Sequence, residues 1–260
     1  MFIKSDVARE KPSKETRMGP PAGESTPYDA LDARVQEADT ALPAARAAAG
    51  VALAVAGVLY NSWVLEVFLP TGLDPRHAYV SELYAMGQPF RRVFGTAEVI
   101  CAVLLGWGAW RSRSLAATSR AEVGGWWALV GFAVWSLADV AVPMECAPSV
   151  AEGCRAVHPL HTVTSALVHF CLFASMALLV TAARKGREGL RPVGSWGPWL
   201  SGGALVSALG TVGALLGLAG WHGVAQRVHL LLVGLWFLLL AGAVGRDRHG
   251  WGPRTGTPSG

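Results

Sequence analysis

Charge is scarce in this chain of 260 residues: Asp, Glu, Lys and Arg make up 15% of it, against 52% hydrophobic residues. That balance leaves too much apolar surface for an ordinary soluble domain of this size, so the expected fold class is all-α and polytopic in a membrane. The basic charge it does carry, a formal net +4, is scattered over separate loops rather than gathered in one stripe, which argues against a nucleic-acid partner. Cysteine is scarce too, with four residues, and the pair Cys146 and Cys154 lacks the closer spacing of zinc knuckles. Nor does the start read as a secretory leader: too many polar residues precede the first apolar run, so the first membrane helix is expected to act as an uncleaved anchor.

What is abundant fits a bilayer. The 31 glycines and 11 tryptophans match membrane helices, where Gly is common and Trp favours the headgroup level. Residues 1–43, rich in Pro, Ser, Thr, Glu and Lys, bury too little to offset their chain entropy and are expected to form a disordered cytoplasmic tail. A weak solvated helix from Tyr28 to Ala38 fits Leu31 and Val35, four apart. Residues 44–246 form the membrane domain and 247–260 a second disordered tail. Six apolar segments lie at about 45–69, 91–110, 123–143, 158–183, 198–220 and 224–245, each near the roughly 20 residues that cross about 30 Å of hydrocarbon. The last two, separated by Trp221, His222 and Gly223, should form a tight hairpin.

Lys and Arg set the orientation. Arg111, Arg113 and Arg120 follow the second span, Arg184, Lys185, Arg187 and Arg191 the fourth, and Arg246, Arg248 and Arg254 the sixth. Those loops belong in the cytoplasm, which places both termini there and makes the chain a multi-pass protein of the cell membrane. Cys146 and Cys154 then fall on the outer face, beside Pro148 and Gly153, where a disulfide is favoured over a metal pair. Cys101 and Cys171, inside spans, read as packing residues.

The polar residues of the spans are unevenly placed. Steps of four, three and four put His158, Thr162, Ser165 and His169 on one helical stripe, with His161 on its edge. His169 lies about 16 Å of rise below His158. Asp139 sits one turn below the outer end of the third span and Glu98 about two turns into the second. Gln226 and His229 share a face of the sixth. Glu66 and Arg92, near the interface, read most simply as snorkelling side chains. Residues of helix-packing origin should fall on both sides of the midplane, but these cluster on one. They imply a polar basin open to the extracytoplasmic side, with Thr71 to Phe90 as a partial cover.

Each residue also has a structural reading. His158 and His161 suit a solvated helix entrance, Asp139 with Glu98 or a histidine suits a buried pair, and Gln226 with His229 suits an interhelical clasp. Three functional readings stay open: binding of a lipid or small hydrophobic molecule, acid and base chemistry by Asp139, His169 and Glu98 in a lipid hydrolase or cyclase, and transport of a small solute. Transport ranks third, since neither a repeat nor an inward polar path is visible.

Three stretches resemble the bacterial membrane proteins grouped as domain of unknown function 998: Tyr79-Val80-Ser81-Glu82-Leu83 with Gly87, Asp139 with Pro143, and Gly223-Val224-Ala225-Gln226-Arg227-Val228 before Trp236. The resemblance spans roughly residues 45–246 and implies a six-helix integral membrane protein without assigning a reaction. In residue types alone, the chain is similar to intramembrane zinc hydrolases of the alkaline ceramidase and adiponectin receptor kind. That similarity implies Ser81, Asp139, His158 or His161, His169 and His229 as a zinc set, with a metal-bound water attacking a lipid amide or ester. The chain departs from that pattern in its helix number and in lacking a paired His motif on the last helix. The sequence leaves the oligomeric state undetermined.

Overall fold

The computed structural model describes residues 27–155, 157–213 and 220–246. The 1–26 part of the expected N-terminal tail, the expected tail at 247–260 and the end of the fifth expected span lie outside them. The described residues form six α-helices in order: α1 (Pro27–Leu59), α2 (Arg91–Ala116), α3 (Arg120–Ala141), α4 (Pro159–Arg184), α5 (Arg191–Val212) and α6 (His222–Arg246). No strand occurs among the described residues.

Among the described residues, five stretches are long and apolar enough to cross a membrane: Ala41–Val67, Arg91–Leu115, Arg120–Ala141, Pro159–Arg184 and His222–Gly245. The chain is a multi-pass membrane protein. The described part of α5 is diluted by glycine, serine and Pro198, and falls below that hydropathy. It packs against α4 and α6 all the same.

Helix α1 takes in the weak helix expected at Tyr28 to Ala38, but it runs on without a break into the first span and ends earlier than expected. It begins at Pro27, so residues 27–43 are helical, in keeping with the strong propensity of their Ala, Leu, Glu, Gln and Arg. The α-helix stops at Leu59 rather than near 69, and a 3₁₀ turn covers Ser62–Val67. The Asn61 amide bends back to donate to the Gly57 carbonyl at 3.2 Å, while the Asn61 N–H takes Val58 at 3.0 Å, tightening the last turn.

Consecutive helices from α2 to α6 pack side by side, and α1 closes the bundle. Gly108 of α2 lies against Leu53, and Gly57 and Gly234 bring the α1 and α6 backbones so close that a Cβ at either would collide with the other's carbonyl. The core is aromatic at its centre: Tyr60, Phe132 and Phe237 meet with ring centroids 5.4 to 5.8 Å apart, and Trp126 and Trp236 are fully buried nearby.

Candidate functional site

A cavity of about 490 Å³ opens at the end of the bundle where α1, α3 and α5 finish and α2, α4 and α6 begin. Its wall is mainly apolar, with Phe94, Val168, Phe173, Leu205 and Leu230 among the lining side chains. Tyr60 joins the wall and rests on the aromatic core. Among its ionisable lining groups are Glu98, Asp139, His158, His161, His169 and His229. Acids and imidazoles from α2, α3, α4 and α6 therefore face one space.

Asp139 is the hub of this group. Thr164 Oγ1 and Ser165 Oγ both donate to its Oδ1, the latter at 2.8 Å, and Tyr84 OH donates to Oδ2 at 3.0 Å. His161 Nδ1 lies 3.3 Å from Oδ1. Pro159, pre-set for a first helical turn, starts α4 so that Thr164 and Ser165 come round onto the face that meets the end of α3. Burial first, then the Asp139 and Glu98 carboxylates, push the Tyr84 phenol well above the ordinary tyrosine range, so it stays a proton donor. Among the described residues, no group donates a hydrogen bond to Glu98.

A second pair lies deeper. The His169 and His229 rings stack with centroids 5.1 Å apart and planes 22° apart. His169 Nδ1 is 2.7 Å from the Ser165 carbonyl and His229 Nδ1 2.8 Å from the Ala204 carbonyl. A carbonyl only accepts, so both rings carry their proton on Nδ1 when neutral and present Nε2 as a lone pair. Buried His229 Nε2 has no partner among the described residues. Of the interhelical clasp expected from Gln226 and His229, His229 makes its half to Ala204 of α5, while Gln226 accepts from the Val80 N–H at 2.7 Å.

His158 stands apart from both groups. It occupies the N-cap position of α4 without a side-chain capping bond, accepts from the Glu145 N–H through Nδ1 at 3.4 Å, and has Nε2 3.9 Å from Cys154 Sγ. Cys146 and Cys154 are joined as a disulfide. Among the described residues, the His, Cys and carboxylate ligand atoms that gather as a trio within 4.8 Å belong to Cys146, Cys154 and His158, and the disulfide occupies both sulfurs. Asp139, His161, His169 and His229 line the cavity as two pairs without forming such a trio. Ser81 lies in a 3₁₀ turn, Val80–Tyr84, lines the cavity and donates to Met144 Sδ at 3.4 Å.

The connection between α1 and α2 covers the cavity and is fastened on two sides. Buried Glu82 accepts from the Tyr79 N–H at 2.8 Å and, through its other oxygen, from the Ser149 N–H and hydroxyl at 2.9 and 2.6 Å. On the other side, Arg227 donates to the Pro75, Ala78 and Gly223 carbonyls while pairing with Glu66. The Tyr79 hydroxyl donates to the Thr211 carbonyl at 2.9 Å. Glu66 therefore does not snorkel; it is buried against Arg227. Asp74, by contrast, is a surface group whose carboxyl the Arg76 side chain holds down at about 2.

Sequence reasoning overlooked Tyr84, Thr164 and Arg227. Thr164 and Ser165, adjacent in the chain, both reach Asp139, which a single stripe of His158, Thr162, Ser165 and His169 does not anticipate. Arg227 is a charge in an apolar helix and was open to the argument applied to Asp139.

The family model described as a protein of unknown function, DUF998, matches residues 50–243. No curated protein and no solved structure matches.

Proposed function

Given that the chain belongs to the DUF998 family of proteins of unknown function, we propose that it is a membrane protein that binds a lipid or small hydrophobic molecule with a polar end. The observation that carries this reading is the cavity: about 490 Å³, within the range of small-molecule sites, with an apolar wall and a few convergent polar groups. Asp139, held by three hydroxyls, supplies a fixed acceptor, and the apolar wall accepts a chain or ring. By the distribution of Lys and Arg, the cavity opens on the extracytoplasmic side of the cell membrane, with both termini in the cytoplasm.

Mass spectrometry of lipids co-purified with the wild-type protein and with a variant whose cavity is filled by Leu205→Trp tests this reading. One lipid class enriched over the bulk membrane in the wild type and lost in the variant is the expected result. Bulk composition in both would overturn it.

A second reading, a metal-assisted lipid hydrolase, is favoured by one observation. His169 and His229 each hold Nδ1 against a backbone carbonyl, the orientation in which imidazole Nε2 ligates a metal. Asp139 or His161 would have to complete the set, and zinc would supply a polarised water. Equal and negligible zinc in wild type, His169→Ala and Asp139→Ala would remove this reading.

A further inference from the structure

The carboxylates and imidazoles around the cavity have no Lys or Arg to balance them among the described lining residues. His229 is 1% exposed, its Nδ1–H is spent on Ala204, and its Nε2 lone pair has no donor among the described residues. His169, stacked on it, has the same proton placement. Glu98 and Asp139 add two carboxylates, of which, among the described residues, only Asp139 is met by protein hydroxyls. Among the described residues, acids and imidazole lone pairs converge there without a Lys or Arg.

We propose that the cavity selects amphiphiles whose polar end is a protonated amine, the apolar wall taking the tail while Glu98 and the lone pairs of His169 and His229 take the N–H donors. This rests on the binding reading above and names its ligand class. An ammonium brings three donors and one positive charge, which complements acids and imidazole lone pairs together. An alcohol brings one donor and no charge. A phosphate brings negative charge against two carboxylates in a low-dielectric site, where like charges repel strongly. A bare metal ion answers the charge but leaves most of a 490 Å³ apolar-walled space unfilled, and the acids and imidazoles do not form a tight ligand trio.

The test is equilibrium binding of cetylamine, cetyl alcohol and cetyl phosphate to the full-length protein in lipid nanodiscs. The expected result is one saturable site with the amine bound at least about tenfold, or 1.4 kcal/mol, tighter than the alcohol, and no competition by the phosphate. Glu98→Gln, which keeps shape and removes charge, should collapse the amine-over-alcohol ratio toward one. Equal binding of amine and alcohol in the wild type, or tightest binding by the phosphate, would overturn the amine assignment while leaving a binding cavity in place. An unchanged ratio in a folded Glu98→Gln protein would do the same. If none of the three saturates a site, the binding reading itself falls. Should Glu98→Gln not fold, the wild-type ratio alone decides.

Discussion

Arg227 and Glu66 face each other as a two-armed pair, Nε to Oε1 and Nη2 to Oε2, each at 2.6 Å, with both side chains nearly sealed from solvent. The same guanidinium holds the Pro75 and Ala78 carbonyls. One side chain therefore neutralises an acid at the end of the first span and fastens the cover of the cavity.

Breaking this pair should be costly because it strands a buried charge. Arg227→Ala is expected to destabilise the protein by about 3–5 kcal/mol, the range for an uncompensated buried partner. Arg227→Lys keeps the charge but not the fork, and should recover only part of that. Thermal unfolding in detergent measures both. Proteolysis between residues 68 and 90 should accelerate in step with the loss of stability.

Gly223 sets the seat for the same cover. A Cβ there would run into the Pro75 and Ala78 carbonyl oxygens, and the Gly223 N–H donates to the Arg76 carbonyl at 3.1 Å. Gly223→Ala should therefore lift residues 75–78 while leaving α6 intact, since alanine favours helix over glycine. Faster amide hydrogen exchange at Arg76 to Ala78, with unchanged helical content, is the expected outcome. Unchanged exchange would show that the backbone shifts to admit the methyl.

Five of the six expected spans were legible in the sequence because hydropathy over about 20 residues is a summed signal that no single contact can reverse. The crowding of Asp139, Glu98 and the histidines at one end was legible for a related reason: charge in hydrocarbon needs a cause. Pairing was not. Which hydroxyl reaches Asp139, or that His229 turns to Ala204 and Gln226 to Val80, depends on helix rotation and on a connection whose course hydropathy does not specify. The three stretches that resemble the family do converge: Tyr84 follows the first and meets Asp139, while Val80 of the first meets Gln226 of the third.

The Cys146–Cys154 loop has fastenings besides its disulfide. Ser149 bonds Glu82 through both N–H and hydroxyl, and the Met86 N–H donates to the Met144 carbonyl at 2.9 Å. Replacing both cysteines by serine should cost at most about 2–4 kcal/mol, the usual worth of a disulfide, and Ser149→Ala in that background should cost more than in the wild type. Thiol labelling of unreduced protein should leave Cys146 and Cys154 unmodified. Labelling of either without reductant would contradict the bond.

Asp139 accepts from three hydroxyls, so losing any one should be mild: Ser165→Ala or Thr164→Ala is expected to cost roughly 0.6 kcal/mol, typical of side-chain hydrogen bonds between membrane helices. Tyr84 differs because its proton is linked to pH. Unfolded, a tyrosine ionises near 10.0; folded, burial and the nearby carboxylates hold Tyr84 protonated well above that. Its raised folded value means the contribution is complete below pH 10.0 and drains away as pH rises from there toward the folded value. Wild-type stability should therefore fall through this alkaline range, and Tyr84→Phe, which cannot ionise, should fall less steeply. Denaturant midpoints at pH 9, 10 and 11 read the slope directly, and parallel slopes would mean that the phenol meets water and titrates as it does in the unfolded chain.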